Sequence, residues 1–141
     1  MTWAAHRFHD FSCGHRVYGH ESKCAYLHGH NYRVHFKIEP DDSLDSVGRV
    51  VDFSVIKSHL CEFLEQQWDH KFLIWVADPL AHTLKLCDPD GVVLCSFNPT
   101  AENMAEYLVK TVGPIMLEGK GVKLVEVIVE ETRKCSASYT L

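Results

Sequence analysis

A chain of 141 residues is one ordinary domain with room for a single apolar core. Hydrophobic residues make up 46% and charged residues 23%, a soluble globular balance, and the net charge of -5 offers no basic footprint for nucleic acid. No apolar run approaches the roughly 20 residues that span a bilayer, and MTWAAHRFHD lacks the basic-then-apolar order of a secretory leader, so a cytoplasmic protein is expected.

The first strand is expected over residues 3–15. A long connection, RVYGHESKCAYLHG, leads to a second strand over 28–39. There the even positions His28, His30, Tyr32, Val34, Phe36 and Ile38 form one face, and Asn31, Arg33, Lys37 and Glu39 lie on the other. Residues 40–47 read as a loop and 49–53 as a short strand. A helix over 54–67 carries Val55, Ile56, Leu60, Phe63 and Leu64 at helical spacing, with Asp52 or Ser54 as its cap. Residues 83–97 read as a hairpin around the turn Asp88-Pro89-Asp90-Gly91. A second helix starts near Pro99, capped by Asn98 or Thr100, and buries Ala105, Leu108, Val109 and Val112. Two closing strands are expected at 122–131 and 134–140. In the first, Glu131 falls in phase with Val125, Val127 and Val129, an unusual place for a carboxylate. Paired strands with interspersed helices predict an α+β fold, an antiparallel sheet with helices on one face.

Ten histidines are the outlying number, and their clustering asks for a metal. His28 and His30 project from one side of a strand, about 6.6 Å apart along it. Hairpin pairing brings His15, near the end of the preceding strand, alongside them. Three neutral imidazoles with an open fourth position are the pattern of a catalytic zinc, whereas structural zinc closes all four positions with protein ligands. Cys13 competes with His15 as a ligand but ranks below it. His6, His9, His20 and His35 read as surface or core residues. Cys24, four residues before His28, is biased toward thiolate by a nearby cation and so is a usable nucleophile or acid/base; a fourth zinc ligand is the alternative. The six cysteines are expected to be reduced, with Cys61, Cys87 and Cys95 buried and inert.

The run Cys24-Ala-Tyr-Leu-His28-Gly-His30-Asn31-Tyr32 resembles the 6-pyruvoyltetrahydropterin synthase and 6-carboxytetrahydropterin synthase family. The resemblance extends along the chain, through Gly14-His15-Arg16, Val51-Asp52-Phe53, Trp68-Asp69-His70-Lys71-Phe72-Leu73, Asn98-Pro99-Thr100-Ala101-Glu102-Asn103 and Glu131-Thr132. It implies the tunnelling fold (T-fold): a four-stranded antiparallel sheet with two helices on one face, here with the hairpin inserted. It also implies closure into rings, commonly a homohexamer of two stacked trimers, with active sites between subunits. Ring closure fits the need of open sheet edges for pairing.

The resemblance assigns His15, His28 and His30 to zinc and Cys24, Asp69 and His70 to a catalytic triad. Glu131 anchors the pterin ring, with Thr100 and Glu102 as a second pterin-side segment. A carboxylate can accept the ring's two parallel N–H donors in a fork. Asp69 and His70, as neighbours in extended chain, would point apart, so a turn or a second subunit must bring them together. The implied substrate is 7,8-dihydroneopterin triphosphate, with Arg16, Lys23 and Lys71 as the cations to meet its phosphates. The three-residue spacer Ala25-Tyr26-Leu27 favours the carboxy-forming branch, on the way to queuosine and other 7-deazaguanines, in which acetaldehyde is lost with triphosphate. The alternatives are pyruvoyltetrahydropterin formation or simple side-chain cleavage and, outside catalysis, a zinc-stabilised interaction module. The chain departs from the family pattern at Ile74-Trp75, where an asparagine is expected, at Cys13, and in the length of 83–97.

Overall fold

The computed structural model describes residues 2–141. Six strands form one sheet in the order β4-β3-β1-β2-β5-β6. The long antiparallel part consists of β1 (Ala5–His15), β2 (His28–Pro40), β5 (Val122–Glu130) and β6 (Ser136–Thr140). The sheet is larger than the expected four strands and is mixed. Two short strands, β3 (Phe72–Trp75) and β4 (Val92–Cys95), extend it in parallel beyond β1.

The alternation in β2 sets the layering. Tyr32, Val34, Phe36 and Ile38 are buried and meet Phe11 from β1 and Val127 and Val129 from β5. Two helices cover this face: α1 (residues 53–68), through Ile56, Leu60, Leu64 and Trp68, and α3 (residues 101–116), through Met104, Ala105, Leu108, Val109 and Val112. Asp52 rather than Ser54 caps α1, accepting the Ser54 N–H at 2.9 Å. No strand forms at 49–53; Asp45 folds that stretch into a turn by accepting the Val47 and Arg49 N–H groups and the Arg49 guanidinium. Val125 is the extra residue of a bulge in β5, so it falls out of step with Val127 and Val129.

The expected hairpin at 83–97 is not formed. Its turn is present, but the chain before it is helix α2 (Ala81–Cys87), and the whole is a β3–α2–β4 crossover. Parallel neighbours require such a crossover. Ala81 and Leu84, three residues apart on one helical face, pack on Ile74 and Val92, which is why this segment is helical. Lys85 Nζ then donates to the carbonyls of Pro89 and Val92, tying the turn to the helix. All six cysteines are free; Cys61 and Cys95 are buried as expected, Cys13 is buried as well, but Cys87 is exposed at the end of α2. Among the described residues, no helix is long and apolar enough to cross a membrane.

Candidate metal centre and active site

His15 and His28 are directly paired across β1 and β2, and His30 lies one step further along the same face, opposite Cys13. The three rings pack edge-on with centroids 4.6–5.1 Å apart. Their ligating nitrogens all lie within 4.8 Å of one another. Gly14 and Gly29 face each other in the register; Gly14 permits the close approach of β3 to β1, and Gly29 that of β1 to β2. A Cβ on Gly14 would stand 2.6 Å from the Phe72 ring, and one on Gly29 would stand 3.1 Å from the Cys13 carbonyl oxygen.

Two of the rings are oriented by main-chain carbonyls. His15 Nδ1 donates to Pro99 O at 2.6 Å, and His28 Nδ1 donates to Tyr26 O at 2.7 Å. Each bond fixes the tautomer and leaves Nε2 with its lone pair. Burial pushes the His15 pKa down to about 4, aided by the neighbouring His28 and His30, although the Pro99 bond opposes it. Burial also lowers the pKa of His30, against the pull of Glu131. Burial therefore holds His15 and His30 neutral, as metal ligands must be.

His28 Nε2 and His30 Nε2 are buried and, among the described residues, have no hydrogen-bond partner. Glu131 Oε1 stands 3.2 Å from His30 Nε2, within ion-pair range but not aligned as a hydrogen bond. Orphaned buried nitrogens are rare because each forfeits its hydration. Here they converge, and a divalent cation of borderline softness fits this all-imidazole donor set. Cys13 stays out of it. Burial raises its pKa well above the ordinary thiol value, which keeps it a neutral thiol. Tyr32, on the same face of β2 as His28 and His30, has its hydroxyl 3.4 Å from His15 Nδ1.

Asp69 and His70 do meet within one chain. The last turn of α1 is wide, closing with Asp69 N–H on Leu64 O, and Asp69 then leaves the helix in extended conformation. His70 takes a left-handed backbone, φ 60°, uncommon for a residue other than glycine. That turn folds the pair back, and His70 Nδ1 lies 2.8 Å from Asp69 Oδ2. The strand edge fixes both residues: Ser12 N–H donates to Asp69 Oδ1 at 3.0 Å, and His70 N–H donates to Ser12 O at 2.7 Å. Burial works to raise the Asp69 pKa, but the Ser12 N–H and the His70 ring outweigh it and hold the carboxyl below its ordinary value. Asp69 is thus a fixed anion behind an exposed imidazole. His30, Asp69, His70 and Glu131 all line one open cleft of about 800 Å³.

The family model for 6-pyruvoyl tetrahydropterin synthase matches residues 5–141. The chain belongs to this family. Among its curated relatives, the 6-carboxy-5,6,7,8-tetrahydropterin synthase of Rickettsia bellii is 32% identical over 89% of this chain and 91% of its own. That of Aquifex aeolicus is 32% identical over 99% and 98%. The fold is shared with a crystal structure from Wolinella succinogenes at TM-score 0.85, 24% identity and coverage of 99% and 98%. It is shared too with the 6-pyruvoyl tetrahydropterin synthase of Caenorhabditis elegans at TM-score 0.71 and 24% identity over 100% and 96%. The sheet is thus a T-fold sheet with an added parallel edge, and the chain is an enzyme, a lyase of the tetrahydropterin synthase type.

Three residues assigned through the family resemblance lie apart from the cleft. Thr100 caps α3 by accepting the Asn103 N–H at 3.1 Å, and Glu102 is exposed in the first turn of that helix. Neither lines the cleft that holds Glu131. Cys24 sits half-buried in a single helical turn (Lys23–Ala25) just before β2, also outside the cleft lining. Of the three cations considered for phosphate, Arg16 is paired with Asp78, and Lys71 Nζ donates to Asp90 O.

Proposed function

We propose that the chain is a zinc-dependent, cytoplasmic 6-carboxy-5,6,7,8-tetrahydropterin synthase that converts 7,8-dihydroneopterin triphosphate with loss of triphosphate and acetaldehyde, within queuosine and 7-deazaguanine biosynthesis. The observation that carries this is the meeting, in one cleft, of a metal-site histidine (His30), the Asp69–His70 pair and Glu131. The names of the curated relatives support the carboxy-forming branch, as does the short spacer between Cys24 and His28.

His15, His28 and His30 would hold the zinc. Bound there, zinc supplies Lewis acidity, easing ionisation of the substrate's side-chain hydroxyls. The residues of the chain do the rest. The Asp69 carboxylate takes the Nδ1–H of His70, leaving Nε2 to accept and return a proton. Cys24 carries the complementary proton transfer. Glu131 accepts the pterin's amino and ring N–H donors in a fork, while Thr100 and Glu102, which lie apart from this cleft, would reach the ring only from an adjacent subunit. Lys23, beside Cys24, is the remaining candidate for the triphosphate. The open edges of β6 and of β1 before Gly14, unpaired among the described residues, support ring closure into a homohexamer of two trimers.

Product analysis by mass spectrometry on zinc-loaded protein tests this reading. Carboxytetrahydropterin with acetaldehyde is expected. Pyruvoyltetrahydropterin would refute the assigned branch, and absence of turnover with one zinc per subunit would refute the substrate. His28→Ala should lose stoichiometric zinc, and Cys24→Ala should lose turnover.

A further inference from the structure

The connection that carries Cys24 runs outside the sheet, so its shape is set by a few tethers. Arg16 supplies one of them. Its Nε donates to Asp78 Oδ2 at 2.5 Å and its Nη1 donates to Ala25 O at 3.3 Å. The next residue, Val17, donates its N–H to Cys24 O at 2.9 Å. Both carbonyls around the Cys24–Ala25 peptide are therefore gripped from the end of β1. Asp78 stands behind this grip. Its side chain has no exposed surface, its Oδ2 takes Arg16, and its Oδ1 accepts the Leu80 N–H that opens α2. A second tether, Asn98, clasps both main-chain polar groups of Tyr18.

Asp78 lies outside the cleft that holds Glu131 and outside the imidazole cluster. A buried ion pair is weak evidence for stability, because desolvation offsets most of its attraction. What this one does visibly is hold the guanidinium by its Nε so that Nη1 reaches the cysteine turn. We propose that Asp78, contributed by the β3–α2 connection, is a positioning residue for Cys24, acting through Arg16. The proposal deepens the reaction proposed above and rests on Cys24 serving in it. It gives the β3–α2–β4 unit a role in the site, and it makes Arg16 a strut rather than a phosphate ligand.

The test uses full-length protein in which the exposed Cys87 and Cys135 are replaced by serine, leaving Cys24 as the accessible thiol. Asp78→Asn, Arg16→Lys and the double variant are compared for kcat, KM, zinc content and the rate of Cys24 alkylation by iodoacetamide. Arg16→Lys keeps the charge on Asp78 but cannot span both partners, so it serves if Asp78→Asn fails to fold. Expected are a fall in kcat of about tenfold or more with KM nearly unchanged, one zinc retained per subunit, and an altered alkylation rate. The double variant should be no worse than the more damaging single one, as for residues acting in series. Wild-type kcat and alkylation in either single variant would overturn the proposal, as would additive losses. If the parent protein turns over no pterin, the reaction reading falls, and the alkylation comparison still decides whether Asp78 positions Cys24.

Discussion

Acidification of the metal-free protein offers a direct test of how His15 is held. The ring is buried between β1, Tyr32 and Pro99, and its pKa is lowered from 6.5 to about 4. The unfolded chain therefore binds a proton between these values that the folded chain refuses. Stability from this source is fully present above pH 6.5 and is lost as the pH falls toward 4. A shift of 2.5 pKa units, the difference between 6.5 and 4, corresponds to about 3 kcal/mol. The depressed Asp69 pKa acts with the same sign but in a lower window, below the ordinary carboxylate value of 3.8, so the two separate. Urea unfolding of zinc-stripped protein from pH 7 to 4, at fixed protein concentration, reads the effect. His15→Gln can still donate to Pro99 O but does not titrate, and its stability should change less over this range by about 3 kcal/mol. Parallel pH dependence for wild type and His15→Gln would refute the argument that burial keeps this ring neutral.

Asp69→Asn should leave the Ser12 N–H an acceptor but weaken the charge behind His70, lowering kcat by about 10² or more with little change in zinc content. Unchanged kcat in steady-state assays would remove His70 from the proton-transfer role. Glu131→Gln replaces a fork of two acceptors by one acceptor and one donor, and should weaken binding of a pterin product by about 1.5–3 kcal/mol. Equal affinity by calorimetry would show that the ring is anchored elsewhere. Gly14→Ala drives a methyl into the Phe72 ring, 2.6 Å from its position, and should cost about 1–3 kcal/mol in chemical unfolding and reduce zinc retention. A variant as stable as wild type would mean that β3 yields easily at this crossing.

Much of the site is local in sequence and was legible there. The period-2 pattern of residues 28–38 places His28 and His30 on the buried face of a strand whatever packs above it, because successive side chains must alternate. Hairpin adjacency then brings His15 opposite His28, as the register shows. The helices over 53–68 and 101–116 likewise follow from apolar spacing, their true start points being set by Asp52 and Thr100 as caps.

Over residues 83–97 the sequence predicts a hairpin and the chain forms a crossover, because local signals there favour two answers. The turn at Asp88–Gly91 is real, but the short run before it has too few residues for periodicity to separate strand from helix. The choice fell to tertiary packing of Ala81 and Leu84 on Ile74 and Val92, and to the parallel pairing of β3 with β4. The Asp69–His70 contact was equally out of reach, since it requires a left-handed backbone at a histidine, held by Ser12 from a distant strand.

Residue types and short-range periodicity thus determined by themselves which side chains could bind a cation and which face of β2 they occupy. Tertiary structure alone decided how the His15 imidazole is oriented and kept neutral, because its partner is the main-chain carbonyl of Pro99, 84 residues away, and its burial is created by the assembled core. A carbonyl is present at every residue and leaves no mark in a sequence, so only the folded chain can show which one is used.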